Sequence, residues 1–108
     1  MKKLHDDLQG LGRFSEPALL VLISLADGPK HGYAMTQDIQ QVSGQKLGPG
    51  TLYGAITRLE ERGWIEPLPS EDRRRPYRLT GAGQRVLKHR LESLRAVTRI
   101  GAQRLADA

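Results

Sequence analysis

The hydrophobic pattern of this chain changes its period twice, and that succession restricts the fold more than any other feature of the sequence. Up to Gly63 the apolar residues recur at intervals of three and four, as in amphipathic helices. Two short segments within 64–80 alternate between apolar and polar residues, as strands do. The helical period returns at Gly81. The sequence therefore predicts an α+β fold, mainly α, with a helical unit, one hairpin and a final helix.

Glycine and proline divide the first part of the chain into predicted helices. Helix one, over 15–26, is apolar almost all round, so it should be buried on every side, with Ser15 as its N-cap. Helix two should begin near His31 and end before Ser43-Gly44. The residues expected on its buried face are Met35, Ile39 and Val42.

The third predicted helix carries the first candidate site. It opens at Gly48-Pro49-Gly50 and ends at Gly63, with Leu52, Ile56 and Leu59 as its buried stripe. The opposite face has few acids. Its glycines allow the backbone a close approach to another molecule, and its hydroxyls and arginine suit phosphates or base edges. The residues expected to contact DNA are Thr51, Tyr53, Gly54, Thr57 and Arg58.

Two of these residues have a structural alternative. Arg58 can pair with Glu61, three residues further along the same helix. Tyr53 lies beside the buried stripe, so the edge of the core suits it as well as DNA does. Nearby, His31 and Tyr33 are interpreted as a helix start and a packed aromatic residue rather than as functional groups.

The predicted hairpin has a basic tip. Its strands are expected over 64–68 and 76–80, and the prolines at 67 and 76 suit edge strands only. The tip between them contains Arg73, Arg74 and Arg75. Three adjacent arginines at a hairpin tip favour contacts with phosphates, each of which makes binding more sensitive to salt.

The last segment, from Gly81 to about Ala106, is predicted as one helix roughly 38 Å long. Its apolar positions follow a heptad spacing; this heptad stripe consists of Leu87, Leu91, Leu94, Thr98, Gly101 and Leu105. The unit before it is too small to cover a stripe of that length, so the stripe is expected to join two copies of the chain. The expected dimer-interface residues are Leu4, Leu8, Leu87, Leu91, Leu94, Thr98 and Leu105.

The N-terminal leucines Leu4 and Leu8 belong to a short amphipathic segment interrupted by Gly10 and Gly12. Either it is a frayed arm or it packs on the partner chain. The order of elements that follows it is that of a winged helix-turn-helix, in which the third helix enters the major groove. The predicted organisation is an arm over 1–14, a DNA-binding domain over 15–80 and a dimerisation helix over 81–108.

The net charge of +5 is common among proteins that bind polyanions and is shared by many that do not. The excess lies in residues 81–108, which hold six bases and two acids. This basic helix has three open interpretations: the solvated back of a dimer helix, an end that approaches the DNA backbone, or a helix that binds a membrane surface or a protein groove. The absence of a Trp or Phe anchor in it disfavours the last.

Several chemistries are excluded by what the sequence lacks. Without cysteine there are no disulfides or thiolate metal sites. The histidines at 5, 31 and 89 have no ligand spacing, so no metal site is expected. The carboxylate pairs Glu60-Glu61 and Glu71-Asp72 have no nucleophile or second polar cluster beside them. We therefore expect no catalytic residues, no enzymatic activity and no cofactor.

The chain has no sequence signal for a membrane or for export. Its longest apolar block, over 18–26, is less than half of the roughly 20 residues that a membrane span needs. The N-terminus lacks the apolar stretch of a secretory signal. A cytoplasmic location and no membrane partner are the expectations.

Four stretches, taken in order, resemble the PadR family of bacterial transcriptional regulators. The first is the apolar helix that leads to His31-Gly32-Tyr33, and the second runs from Gly50-Thr51-Leu52-Tyr53 to Trp64-Ile65. The third and fourth are Arg74-Arg75-Pro76-Tyr77-Arg78-Leu79-Thr80 and Thr80-Gly81-Ala82-Gly83. The resemblance covers roughly residues 17–90 and matches family members with a single C-terminal helix.

This resemblance implies a homodimer that binds an inverted-repeat operator in double-stranded DNA, usually as a repressor. It also implies that a small-molecule effector releases the homodimer from the DNA. Some family members stack ligands on a tryptophan of the C-terminal helix, whereas residues 81–108 here contain no aromatic residue. Two alternatives stay open: a winged-helix protein-interaction module without a DNA partner, and a small-molecule receptor without DNA binding.

Overall fold

A computed structural model describes residues 8–70 and 72–108. A 3₁₀ segment comes first, followed by three helices, a two-stranded antiparallel sheet and a long helix. The bounds are Leu8–Phe14 for the 3₁₀ segment, then α1 Ser15–Ala26, α2 Gly32–Ser43, α3 Pro49–Glu61, β1 Ile65–Pro67, β2 Tyr77–Leu79 and α4 Gly81–Asp107. The predicted fold class is confirmed.

Helix α1 is the centre of the fold. It contacts the 3₁₀ segment, α2, α3, β2 and α4. Six of its twelve residues are buried, and Leu19 and Ile23 are partly buried against the core. The prediction of a helix buried on every side therefore holds except near its two ends, where Glu16 and Ala26 are exposed. The predicted N-cap is wrong: α1 begins at Ser15 itself, and Phe14 occupies the cap position without a side-chain hydrogen bond.

Helix α2 differs from its prediction in two side chains. Met35 and Ile39 are buried as expected, but Val42 is 61% exposed. Residues 40–46 are all exposed, so the last turn of α2 extends beyond the helices that cover its first turns. Tyr33, predicted to be packed, is 65% exposed, and its hydroxyl accepts a hydrogen bond from Gln37. His31 does start the helix, since its Nδ1 accepts the Ala34 N–H at 3.4 Å.

The hairpin is antiparallel, with Ile65 opposite Leu79 and Pro67 opposite Tyr77. Tyr77 is also paired on its other side, because its backbone exchanges two hydrogen bonds with Lys30, of 3.0 and 3.2 Å. The expectation that both strands are edges therefore holds for β1 only. Pro76 is tolerated because it precedes the paired residue and uses its carbonyl, which accepts the Leu68 N–H.

Helix α4 is attached to the body through its first turns. The Thr80 hydroxyl accepts the Gly83 N–H and donates to the Gly63 carbonyl, which ties the helix start to the end of α3. In α4 only Gly83 and Leu87 are buried. Ala82 and Val86 pack partly against the core, and the later turns of this 27-residue helix extend away from the body, which explains why the molecule measures 55 Å along its longest axis.

The 3₁₀ segment packs on its own chain. Leu8 is completely buried and Leu11 is 8% exposed, and the segment contacts both α1 and α3. The assignment of Leu8 to a dimer interface is therefore wrong, because the chain's own core covers that side chain. Leu4, the other predicted interface residue of the arm, lies outside the described residues.

Candidate nucleic-acid interface

The outer face of α3 is open to solvent at three of the five predicted positions. Thr51, Tyr53 and Thr57 are exposed. The Thr57 hydroxyl donates to the Tyr53 carbonyl at 2.9 Å, so its oxygen is held in place with lone pairs left over as acceptors. Pro49 in the first turn and the left-handed Gly63 after the last turn set the ends of this helix.

Gly54 has a different role from the predicted one. A Cβ at this position would lie 2.6 Å from Cε1 of Phe14, which is closer than real Cβ contacts. The missing side chain therefore makes room for an aromatic ring of the same chain rather than for a DNA groove. Sequence periodicity missed this, because it placed Gly54 on the outer face without showing that the 3₁₀ segment reaches there.

Arg58 lies over the same ring. Its Cζ is 4.3 Å from the centroid of Phe14, and in the described residues no ion pair joins it to Glu61. The ring occupies the face of the guanidinium and leaves its N–H donors at the surface of α3. The only signal for this in the sequence was the chain's single phenylalanine directly before helix one.

Tyr53 occupies the opposite flank of α3. It is 50% exposed, and its hydroxyl packs on Gly32, where any Cβ would collide with it. The side chain therefore closes the edge of the core, as one of the two alternatives expects, and its exposed half leaves the DNA contact as a prediction. Burial raises the pKa of Tyr77, the nearby strand residue, and the Glu60 carboxylate and Tyr53 add to this rise while Arg75 opposes it.

The three arginines of the hairpin tip are in different environments. Arg75 donates to the Leu68 carbonyl at 3.2 Å and so stays on the hairpin itself. Arg74 Nη1 lies 3.5 Å from Nε2 of His31 at the start of α2. Arg73 is exposed and has no hydrogen-bond or ion-pair partner among the described residues.

The backbone of the hairpin tip has an unusual conformation at Arg73 and at the residue before it. Asp72 and Arg73 both have positive φ, of 50° and 67°. For a residue with a Cβ this left-handed conformation costs about 1–2 kcal/mol, and Gly or Asn normally takes it. A large cation held at a strained position, aimed into solvent, is a feature that packing does not explain.

The start of α2 contacts both parts of the candidate surface, which are the outer face of α3 and the tip of the hairpin. Tyr53 of α3 packs over Gly32, while Arg74 of the hairpin approaches His31 directly before it. The outer face of α3 and the basic tip are therefore neighbours. The winged-helix order predicted that they lie close together, but nothing in the sequence indicated that the start of α2 contacts both.

Helix α4 exposes a second surface. Part of the heptad stripe and the apolar residues beside it remain open: Leu91 is 40% exposed, Leu94 36%, Val97 65%, Ile100 43% and Leu105 80%. Thr98 is also exposed, whereas Leu87 is buried in the chain's own core. The first four turns of α4 border a groove of about 510 Å³. Its lining residues are Ala26, Leu79, Gln84, Leu87, Lys88, Leu91, Glu92 and Arg95.

The described helices give no candidate for a membrane span, since even α4 has too many charged residues among its apolar ones. Three helices, a hairpin with a basic tip and an open outer face on the third helix define a winged helix-turn-helix protein. The family profile described as "Transcriptional regulator PadR-like family" matches residues 20–89. The chain belongs to this family, whose members are transcriptional regulators and not enzymes.

Relatives and solved structures agree with this assignment. The chain is 37% identical over 87 residues to the transcriptional regulator Rv3488 of Mycobacterium tuberculosis, covering 75% of this chain and 78% of that protein. A transcriptional regulator from Clostridium thermocellum has a similar structure, with a TM-score of 0.72, 27% identity and coverage of 80% of this chain and 89% of that one.

A further relative is much longer. An uncharacterized 37.1 kDa protein in transposon TN4556 of Streptomyces fradiae is 49% identical over 82 residues, which are 76% of this chain and 24% of that protein. The chain thus spans about a quarter of the length of that relative.

Proposed function

We propose that the chain binds double-stranded DNA as a homodimer, at an inverted repeat. The observation that carries this proposal is the open outer face of α3, with Thr51 and Thr57 exposed beside the arginine-rich hairpin tip. In this arrangement α3 of each protomer enters a major groove and the tip contacts the neighbouring phosphates. The two copies of α3 lie roughly 34 Å apart, which is one turn of the duplex.

The exposed part of the heptad stripe supports the dimer. Leu91 and Leu94 continue the line of Leu87 along α4, and the body of the chain leaves them 40% and 36% exposed. A second copy of α4 packed along this line removes apolar surface from water on both chains. The same two-fold symmetry presents two copies of α3 to an inverted repeat.

Repression and release by an effector complete the proposal. A dimer seated on a promoter excludes other proteins from the same DNA. The groove beside α4 combines apolar side chains such as Leu79 with the charged groups of Lys88, Glu92 and Arg95, which suits a small molecule that has both an apolar and a polar part. Because α4 also carries the heptad stripe, a molecule in this groove changes the spacing of the two copies of α3 and so weakens DNA binding.

Footprinting on the DNA upstream of the chain's own gene tests the proposal. We expect a protected site with two-fold symmetry, and a loss of protection as the salt concentration rises from low to physiological. Protection of no fragment above background contradicts DNA binding. A partner affinity that is insensitive to salt indicates the protein-interaction module instead.

Replacing the strained arginine at the hairpin tip should change stability and DNA affinity in opposite directions. In Arg73→Gly the left-handed backbone is no longer strained, so the free energy of unfolding should rise by about 1 kcal/mol. Loss of the cation should lower the slope of log affinity against log salt by about 0.9 per protomer. Thermal melts and binding titrations at several salt concentrations measure the two effects.

The matched control removes the same charge at the far end of α4. Arg104→Gln lies in the last turn of that helix, so the salt slope should keep its original value. An unchanged slope for Arg73→Gly, or an equal decrease in the control, contradicts a phosphate contact at the hairpin tip.

A further inference from the structure

We infer that Phe14 is a positioning residue for DNA binding, and that it acts by holding the Arg58 guanidinium at the outer face of α3. The inference rests on the proposed function and adds a residue outside both α3 and the hairpin. Phe14 precedes α1 in the chain and packs against α3 in space. It is the only phenylalanine of the protein.

The contact leaves Arg58 oriented but chemically available. Its Cζ lies 4.3 Å from the centroid of the Phe14 ring, an arrangement in which the negative ring face attracts the cation. The Arg58 guanidinium has no hydrogen bond or ion pair with any other residue that the structure describes. Its five N–H donors therefore remain for a phosphate oxygen or a base edge.

The ring packs on α3 and also carries a second cation, since Cζ of Arg13 lies 5.0 Å from its centroid. Gly54 on α3 has no side chain where the ring lies, and a Cβ there would be 2.6 Å from Cε1 of Phe14. Earlier in the 3₁₀ segment, Leu8 and Leu11 are buried in the core, and Gly12 turns the chain with φ of 58°. The segment is thus anchored in the core at its start and places the Phe14 ring under Arg58 at its end.

The consequence for binding is entropic. A free arginine side chain loses its rotamer freedom when it contacts DNA, and that loss subtracts from the affinity. Arg58 is already held over the ring before DNA arrives, so less freedom remains to be lost. The prediction is that the benefit of Phe14 depends on the presence of Arg58.

A double-mutant cycle tests this dependence, with the duplex protected in footprinting as the probe. Phe14→Leu should weaken binding about three- to tenfold in the chain that has Arg58. In an Arg58→Ala background the same substitution should cause no further loss. If Phe14→Leu does not fold, as judged by circular dichroism and thermal melting, Phe14→Met replaces it.

Ile39→Val is the matched control, because it shortens a buried side chain on α2, a helix that carries neither Phe14 nor Arg58. Its effect on affinity should be the same factor in both backgrounds. Equal losses from Phe14→Leu in both backgrounds would show a purely structural role and overturn the inference, while DNA binding by the unmodified protein would stand. No binding of any duplex by the unmodified protein would overturn the proposed function and this inference with it.

Discussion

A chain carrying Leu94→Glu should sediment as a monomer and lose at least about 100-fold of its affinity for the operator. Leu94 lies in the middle of the heptad stripe and is 36% exposed in the single chain. In the proposed dimer the substitution would bury an ionised carboxylate from each protomer beside the same apolar surface, which is strongly unfavourable. Each monomer would then bind a single half-site, without the gain in affinity that comes from binding both half-sites at once.

Sedimentation velocity distinguishes the two states directly. The unmodified protein should show twice the 12.0 kDa mass of one chain, and the variant a single mass. Gln103→Glu is the control, since it introduces the same charge on the side of α4 away from the stripe and should leave the dimer intact. A monomeric unmodified protein, or a Leu94→Glu variant that still dimerises, rules out this interface.

The second large effect concerns stability. Gly83→Ala should lower the free energy of unfolding by about 3 kcal/mol, because a Cβ at this position collides with the backbone carbonyl of Trp64. Backbone cannot swing aside as a flexible side chain does, so the first turn of α4 must move away from the hairpin. For a domain of this size the melting temperature should fall by roughly 10–20 °C.

Gly81→Ala provides the comparison for this substitution. It lies in the same turn, but the nearest atom to its new Cβ is the end of the Arg85 side chain at 3.7 Å. Both variants gain helix propensity, so Gly81→Ala should be neutral or slightly stabilising. The difference in the free energy of unfolding between the two variants therefore measures the effect of the collision alone. Equal melting temperatures for the two variants contradict the close packing of α4 on Trp64.

Local signals explain why most element bounds were predictable. Gly44 and Gly63 end their helices in the left-handed conformation, and Thr80 caps α4 with its own hydroxyl. Such interactions involve residues a few positions apart, so the order of residue types is enough to reveal them. The buried stripe of α3 was predictable for the same reason, since helical spacing alone puts Leu52, Ile56 and Leu59 on one side.

The candidate site was only partly predictable. The sequence placed Thr51, Thr57 and Arg58 on one face of a helix, which is a local property. It gave no sign that Phe14 lies under Arg58, because that contact joins two elements that are distant in the chain. It also treated the three arginines of the hairpin tip alike, whereas their partners differ in the folded chain.

Two leucines show where the sequence stops being sufficient. Leu8 and Leu91 both lie on apolar stripes of helical spacing, and both were predicted to contact a second chain. In the structure Leu8 is completely buried by α1 and α3, while Leu91 stays 40% exposed on a helix that leaves the body. Periodicity determined that each segment has an apolar side. What covers that side was decided only by tertiary packing, because burial depends on how far the rest of the chain extends in space.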